Sequence, residues 1–151
     1  MPDSSAELSP EVFADLFERA QAAAEHAYAP YSQFRVGAAL LFDDGTIVTG
    51  CNVENASYGL TSCAERNALF CAVSDQGPRR RIVAIAVANL NHVPSAPCGA
   101  CRQVLSEFVT AQAHIVFPGE HGEPCRPLPF ADLLPYGFVF PGRLPVKERP
   151  A

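Results

Sequence analysis

Cys63, Glu65, Cys98 and Cys101 carry the chemistry for which this sequence is equipped. They stand in Ser62-Cys63-Ala64-Glu65-Arg66 and Pro97-Cys98-Gly99-Ala100-Cys101-Arg102. Three thiolates can hold one Zn²⁺ and leave its fourth tetrahedral position to water, which separates a catalytic zinc from a closed structural one. Glu65 suits proton transfer better than ligation: a carboxylate beside an activated water takes its proton, passes it to a ring nitrogen and later protonates a departing amine.

The elements around these residues must bring two distant stretches together. Ser9-Pro10 opens a helix, with a capping hydroxyl and proline at its first position, and Phe13, Leu16, Phe17, Ala20, Ala24 and Ala27 recur on one face up to Tyr28-Ala29-Pro30. Residues 34–42 and 46–52 read as antiparallel strands joined by Asp43-Asp44-Gly45. A polar loop, 53–62, leads into Cys63 and a helix to about Ser74, stopped by Gly77-Pro78. Residues 82–90 form a continuous apolar run, expected of a strand covered on both faces. The loop 91–97 then feeds Cys98 and a helix through Val109. Strands over 114–117 and 125–129 and a helical turn at Leu133-Leu134-Pro135 complete the pattern. Strand, loop, cysteine, helix is thus used twice, and the alternation predicts an α/β fold, a three-layer α/β/α sandwich around a mixed sheet. The 151 residues predict a single domain, 1–151, with an irregular tail over 139–151.

Successive helical residues turn by about 100°, so Cys63 and Glu65 could not both face one site from inside a regular helix. Cys63 must therefore sit at the helix entrance. Cys98 and Cys101, three apart, share the face of a first turn, and the positive helix N-termini favour thiolate over thiol. Three thiolates and Zn²⁺ sum to −1, which weakens the metal's power to acidify water. Arg66 and Arg102, each adjacent to a ligand, are the candidates for donating to the sulfurs and offsetting that charge. His92 is expected to stay out of the site, because a fourth protein ligand would close the open position.

Composition bounds the partners. The net charge is −5, Lys147 is the one lysine, and the sole basic run, Arg79-Arg80-Arg81, reads as a solvated loop or a subunit contact. A phosphate backbone needs a broad positive face, so nucleic acid is not expected and a small free substrate is. No run of 18 apolar residues and no signal-like start occur, so a cytoplasmic protein with no membrane partner is expected. Cys51, Cys71 and Cys125 read as buried, inert thiols.

The Cys-x-Glu and Pro-Cys-x-x-Cys pair matches the three-cysteine form of the zinc base-deaminase signature. The chain moreover resembles the small homotetrameric cytidine deaminases, from Ala29-Pro30-Tyr31-Ser32 through Phe34 to Leu40, Gly50-Cys51-Asn52-Val53-Glu54-Asn55-Ala56 and Leu133-Leu134-Pro135. The resemblance implies a five-stranded mixed sheet and one Zn²⁺ per subunit on Cys63, Cys98 and Cys101. It implies hydrolytic deamination of cytidine and deoxycytidine, a pyrimidine-salvage reaction, with Glu65 catalytic. It places Asn52 and Glu54 on the ribose hydroxyls, Phe34 beside the pyrimidine and the Ala64 backbone on the base amide. Ala56, Tyr58 and Phe138 match positions that reach a neighbouring subunit's site, so it implies a homotetramer with shared active sites. Tyr136 departs from the smaller residues common at its position.

Two other readings stand beside this one. A relative acting on another aminopyrimidine nucleoside, such as blasticidin S, would share the zinc motif. A binding module with a purely structural zinc would need a fourth ligand, for which His92 is the candidate.

Overall fold

The structure, a computed structural model, describes residues 8–141. Helix α1 spans Pro10–Ala24 and buries Phe13, Leu16, Phe17, Ala20 and Ala24. Ser9 sits at its cap in an extended conformation, but its hydroxyl makes no capping bond; its carbonyl accepts the Val12 N–H instead. The helix stops short of Ala27 because Tyr28 is drawn away: its N–H donates to the Asn52 carbonyl and its carbonyl accepts from Glu54 N–H.

Strands β1 (Val36–Phe42) and β2 (Ile47–Cys51) form the expected antiparallel hairpin. Asp44 stabilises its turn by accepting from the Thr46 N–H and hydroxyl. Phe34 and Arg35 fall outside β1, since the Asn52 side chain takes the Phe34 carbonyl and the Val36 N–H that a ladder would have used. A short 3₁₀ turn, Tyr58–Leu60, precedes helix α2 (Ala64–Gln76). Strand β3 (Ile82–Asn89) then leads to helix α3 (Gly99–Ser106), β4 (Val109–Val116), β5 (Leu128–Pro129) and a 3₁₀ turn, Phe130–Leu133.

The five strands form one mixed sheet in the order β2-β1-β3-β4-β5, parallel only between β3 and β4. Alternation along β3 divides the core. Ile82, Ile85 and Val87 pack with Ala68, Leu69 and Leu105 of α2 and α3. Ala84, Ala86 and Ala88 pack with Phe13, Leu16 and Phe17 of α1. The result is the expected three-layer sandwich, with α2 and α3 on one face and α1 on the other. Because β1 is antiparallel to both neighbours, β2 and β3 run in one direction and release the chain at the same edge of the sheet.

Three further sequence expectations change. Helix α3 ends at Ser106, whose hydroxyl bonds back to the Gln103 carbonyl, and β4 starts at Val109 rather than at 114. The arginine run is not a solvated loop: Arg80 donates to Thr46 and the Ala72 carbonyl over the Phe42 ring, and Arg81 donates to the carbonyls of Pro78 and Glu107. Of the three cysteines outside the motif, Cys71 is exposed and Cys51 and Cys125 are half-buried, so none is the fully buried thiol expected. Residues 139–141 are exposed and irregular; the remainder of the expected tail lies outside the described residues.

Candidate active site

Each half of the motif lies where a helix begins. Cys63 is extended (φ −74°, ψ 155°) and caps α2; Cys98 is extended (φ −65°, ψ 163°) and caps α3. Cys98 therefore precedes the first turn that sequence spacing assigned to it, and its sulfur accepts the Cys101 N–H at 3.5 Å. Lying before the first helical residue frees Cys63 from the helical rotation, so its sulfur and the Glu65 carboxylate can meet. Gly50 sets the depth of α2: a Cβ there would stand 2.5 Å from the Ala68 nitrogen and 2.7 Å from the Ala64 carbonyl oxygen. Only a glycine lets the helix seat this closely on β2.

The sulfurs of Cys63, Cys98 and Cys101 lie within 4.8 Å of one another, and those of Cys63 and Cys98 are 3.7 Å apart. Zinc–sulfur bonds of about 2.3 Å in a tetrahedron put sulfurs about 3.8 Å apart, so the donor set fits a zinc ion. No other metal-holding cluster occurs among the described residues, and His92 is not part of this one. The electrostatics agree. A hydrogen bond from Cys101, with Arg66 and Cys98 adding, holds the Cys63 thiol down to about 5. Cys101, donor in that bond and buried, is pushed up. One sulfur is thus a ready anion before any cation arrives.

Glu65 is buried, with 4% of its surface exposed, and burial pushes its carboxyl up from the usual value. Arg66 donates from Nη2 to the Cys63 sulfur at 3.3 Å. Arg102 does not share that arrangement: Nε donates to the Pro97 carbonyl and Nη1 to the Leu133 carbonyl. It ties the turn before Cys98 to the C-terminal 3₁₀ turn, which corrects the expectation that it reaches a sulfur.

The sugar-side candidates converge on the Tyr31–Phe34 turn. Asn52 is buried, and its amide holds the backbone on both sides of Arg35. Glu54 is buried and accepts from the N–H groups of Tyr31 and Ser32 and from the Ser32 hydroxyl, which chiefly keeps its carboxyl below the usual range. Phe34 is half-buried beside this turn, and Ala64 is buried at the start of α2. Ala56, Tyr58 and Phe138 are exposed on this chain; the Tyr58 ring stands edge-on to Tyr31 at 6.2 Å.

Asn67 and Ser32 were missed in the sequence. Asn67 donates to the carbonyls of Cys51 and Ser62 and accepts from the Ser62 hydroxyl, fixing the approach to Cys63. Their one signal is local: a hydroxyl or amide close to each candidate.

Comparison with known proteins gives a family. The model for the cytidine and deoxycytidylate deaminase zinc-binding region matches residues 11–125. Cytidine deaminase of Halalkalibacterium halodurans is 49% identical over 124 residues, 82% of this chain and 92% of the relative. Cytidine deaminase of Mycobacterium tuberculosis is 50% identical over 116 residues, 77% and 81% of the two chains. The crystal structure of cytidine deaminase from Burkholderia pseudomallei superimposes with a TM-score of 0.75 at 48% identity, covering 87% of this chain and all of that one.

Proposed function

The chain belongs to the cytidine and deoxycytidylate deaminase zinc-binding family, and we propose that its single domain converts cytidine and deoxycytidine to uridine and deoxyuridine by hydrolysis, releasing ammonia. The observation that carries this reading is a buried carboxylate, Glu65, beside three sulfurs spaced for one zinc ion.

Zinc held by Cys63, Cys98 and Cys101 supplies the Lewis acidity that makes water nucleophilic near neutral pH. Glu65 moves the protons. Its carboxylate takes one from the attacking water and delivers it to N3 as the C4–O bond forms. It then carries the hydroxyl proton to the amino group as the C4–N bond breaks, leaving the product carbonyl and ammonia. Burial favours this cycle, because an elevated carboxyl holds a proton between the two transfers more readily than a solvated glutamate. The Arg66 guanidinium offsets the excess negative charge of three thiolates by donating to Cys63.

Recognition divides between the base and the sugar. Phe34 offers its ring to the pyrimidine, the Ala64 backbone meets the base amide, and Asn52 and Glu54 take sugar hydroxyls with the hydrogen-bonding capacity their backbone contacts leave. Tyr58 at 76%, Leu60 at 71% and Phe70 at 52% exposure leave much apolar surface on α2 and the turn before it. This surface supports assembly into a tetramer in which Ala56, Tyr58 and Phe138 complete neighbouring sites. No described helix is long and apolar enough to cross a membrane, and a cytoplasmic enzyme acting on free nucleosides follows from this reading.

The test is the loss of cytidine absorbance in the ultraviolet, with and without a zinc chelator. Chelator-sensitive formation of uridine is expected. A folded, zinc-replete protein that leaves cytidine and deoxycytidine unchanged would overturn the substrate, and turnover of blasticidin S by that sample would replace it.

A further inference from the structure

Pro97 is the one buried residue of the loop 91–97 that delivers Cys98. Asn91, His92, Val93 and Pro94 are exposed, Ser95 is half-buried, and His92 adopts a left-handed backbone (φ 53°). A loop of this kind takes one shape only if polar contacts define it. Beyond the Ser95 N–H on the Pro118 carbonyl and Arg102 on the Pro97 carbonyl, four of those contacts come from one side chain, Asn89, the last residue of β3, which is 2% exposed.

The Asn89 amide uses its full hydrogen-bonding capacity on that loop. Nδ2 donates to the Val93 carbonyl at 2.8 Å and to the Ser95 hydroxyl at 2.9 Å. Oδ1 accepts from Asn91 N–H at 3.1 Å and Val93 N–H at 3.3 Å. Two donors and two acceptor positions are all that a carboxamide has. The loop in turn reaches the substrate side: Asn91 accepts the Arg35 N–H and donates to the Gln33 carbonyl, holding the turn on both sides of Phe34.

We propose that Asn89 is a positioning residue that registers the Cys98 sulfur and the Phe34 turn against each other through the 91–95 loop. Asn89 itself does not touch the reacting atoms. The proposal rests on the deaminase reading for the role of Phe34, whereas its effect on Cys98 is measurable without any turnover. Sequence offered no signal for it, because a polar residue ending an apolar strand looks like an ordinary loop boundary.

The test compares the wild-type holoenzyme with Asn89→Ala, Asn89→Asp and Ser95→Ala. Zinc transfer to a colorimetric chelator and kcat and KM for cytidine are measured, with circular dichroism confirming the fold. Alanine should speed zinc release about 10- to 100-fold and lower kcat/KM comparably, the usual effect of losing a residue that supports a metal ligand. Aspartate keeps both acceptor positions, but its second oxygen faces the Val93 carbonyl to which Nδ2 donated, so it should not restore either quantity to the wild-type value. Ser95→Ala should raise the release rate several-fold with the fold intact. A folded Asn89→Ala protein that releases zinc at the wild-type rate overturns the proposal. If that variant does not fold, wild-type release from Ser95→Ala overturns it. A wild-type protein inactive on cytidine would refute the deaminase reading, and the release rates would still decide the role of Asn89.

Discussion

The Arg66 guanidinium, from the first turn of α2, lies 3.3 Å from the sulfur of Cys63, which caps that helix. A neutral amide at this position would leave three thiolates around one divalent ion with less compensation. Arg66→Gln should therefore retain zinc at saturating metal but lower kcat about 10- to 100-fold. Metal content and steady-state rates on one preparation check this; an unchanged kcat would remove Arg66 from the chemistry.

Glu65→Gln replaces the proton carrier with a group of the same shape. Zinc content should persist while turnover falls by at least about 10²-fold. Stability provides a second readout. A buried carboxyl raised above its ordinary 4.5 favours folding while protonated in the fold and loses that contribution as pH rises through its folded value. Without metal, the Tm of Glu65→Gln relative to wild type should therefore increase as the buffer is taken upward from about pH 4.5, levelling above the folded value. A constant difference would mean that burial does not perturb Glu65.

Gly50→Ala tests whether α2 must sit so close to β2. The new methyl would meet helix backbone, which cannot rotate away as a side chain can. A loss of about 1–3 kcal/mol in unfolding free energy is expected. Weaker zinc retention should accompany it, because the helix that yields begins at Cys63. Denaturant unfolding and metal analysis measure the two effects.

Removing the metal should expose a reactive thiolate. Cys63, held down to about 5, is largely ionised near neutral pH. A chelated sample should be alkylated there within minutes, and zinc should protect it. Cys71, exposed on α2 away from the motif, provides an internal control that should be labelled in both states. Peptide mass spectrometry distinguishes them; equal labelling of Cys63 with and without zinc would argue against its being a ligand.

The motif made the entrance of α2 readable, because only a cysteine placed before the first turn could face the same point as Glu65, whereas three-residue spacing put Cys98 inside a turn that it precedes. The three layers followed from alternating elements and from the unbroken apolar run of β3. The sequence obscured Val109 to Ala113, where polar and small residues follow a helix without a glycine or proline stop. It also obscured Phe34 and Arg35, whose strand-like pattern yields to the Asn52 side chain. Arg80 and Arg81 looked like surface charge because the carbonyls and rings that receive them come from other parts of the chain. Contacts made by chain return leave no local mark.

Those two arginines also bear on how the molecule opens. At the edge opposite the cysteines, Arg80 reaches Thr46 in the hairpin turn and Ala72 in α2, while Arg81 reaches Glu107 beyond α3. Three connections are thereby fastened into one cooperative unit, and their amides should exchange with solvent together rather than loop by loop. Along helix α2 this fastening, at Ala72, lies about 14 Å from Cys63. A lesion at Arg80 would consequently loosen the metal end of a rod whose damaged end lies at the opposite end of the strands.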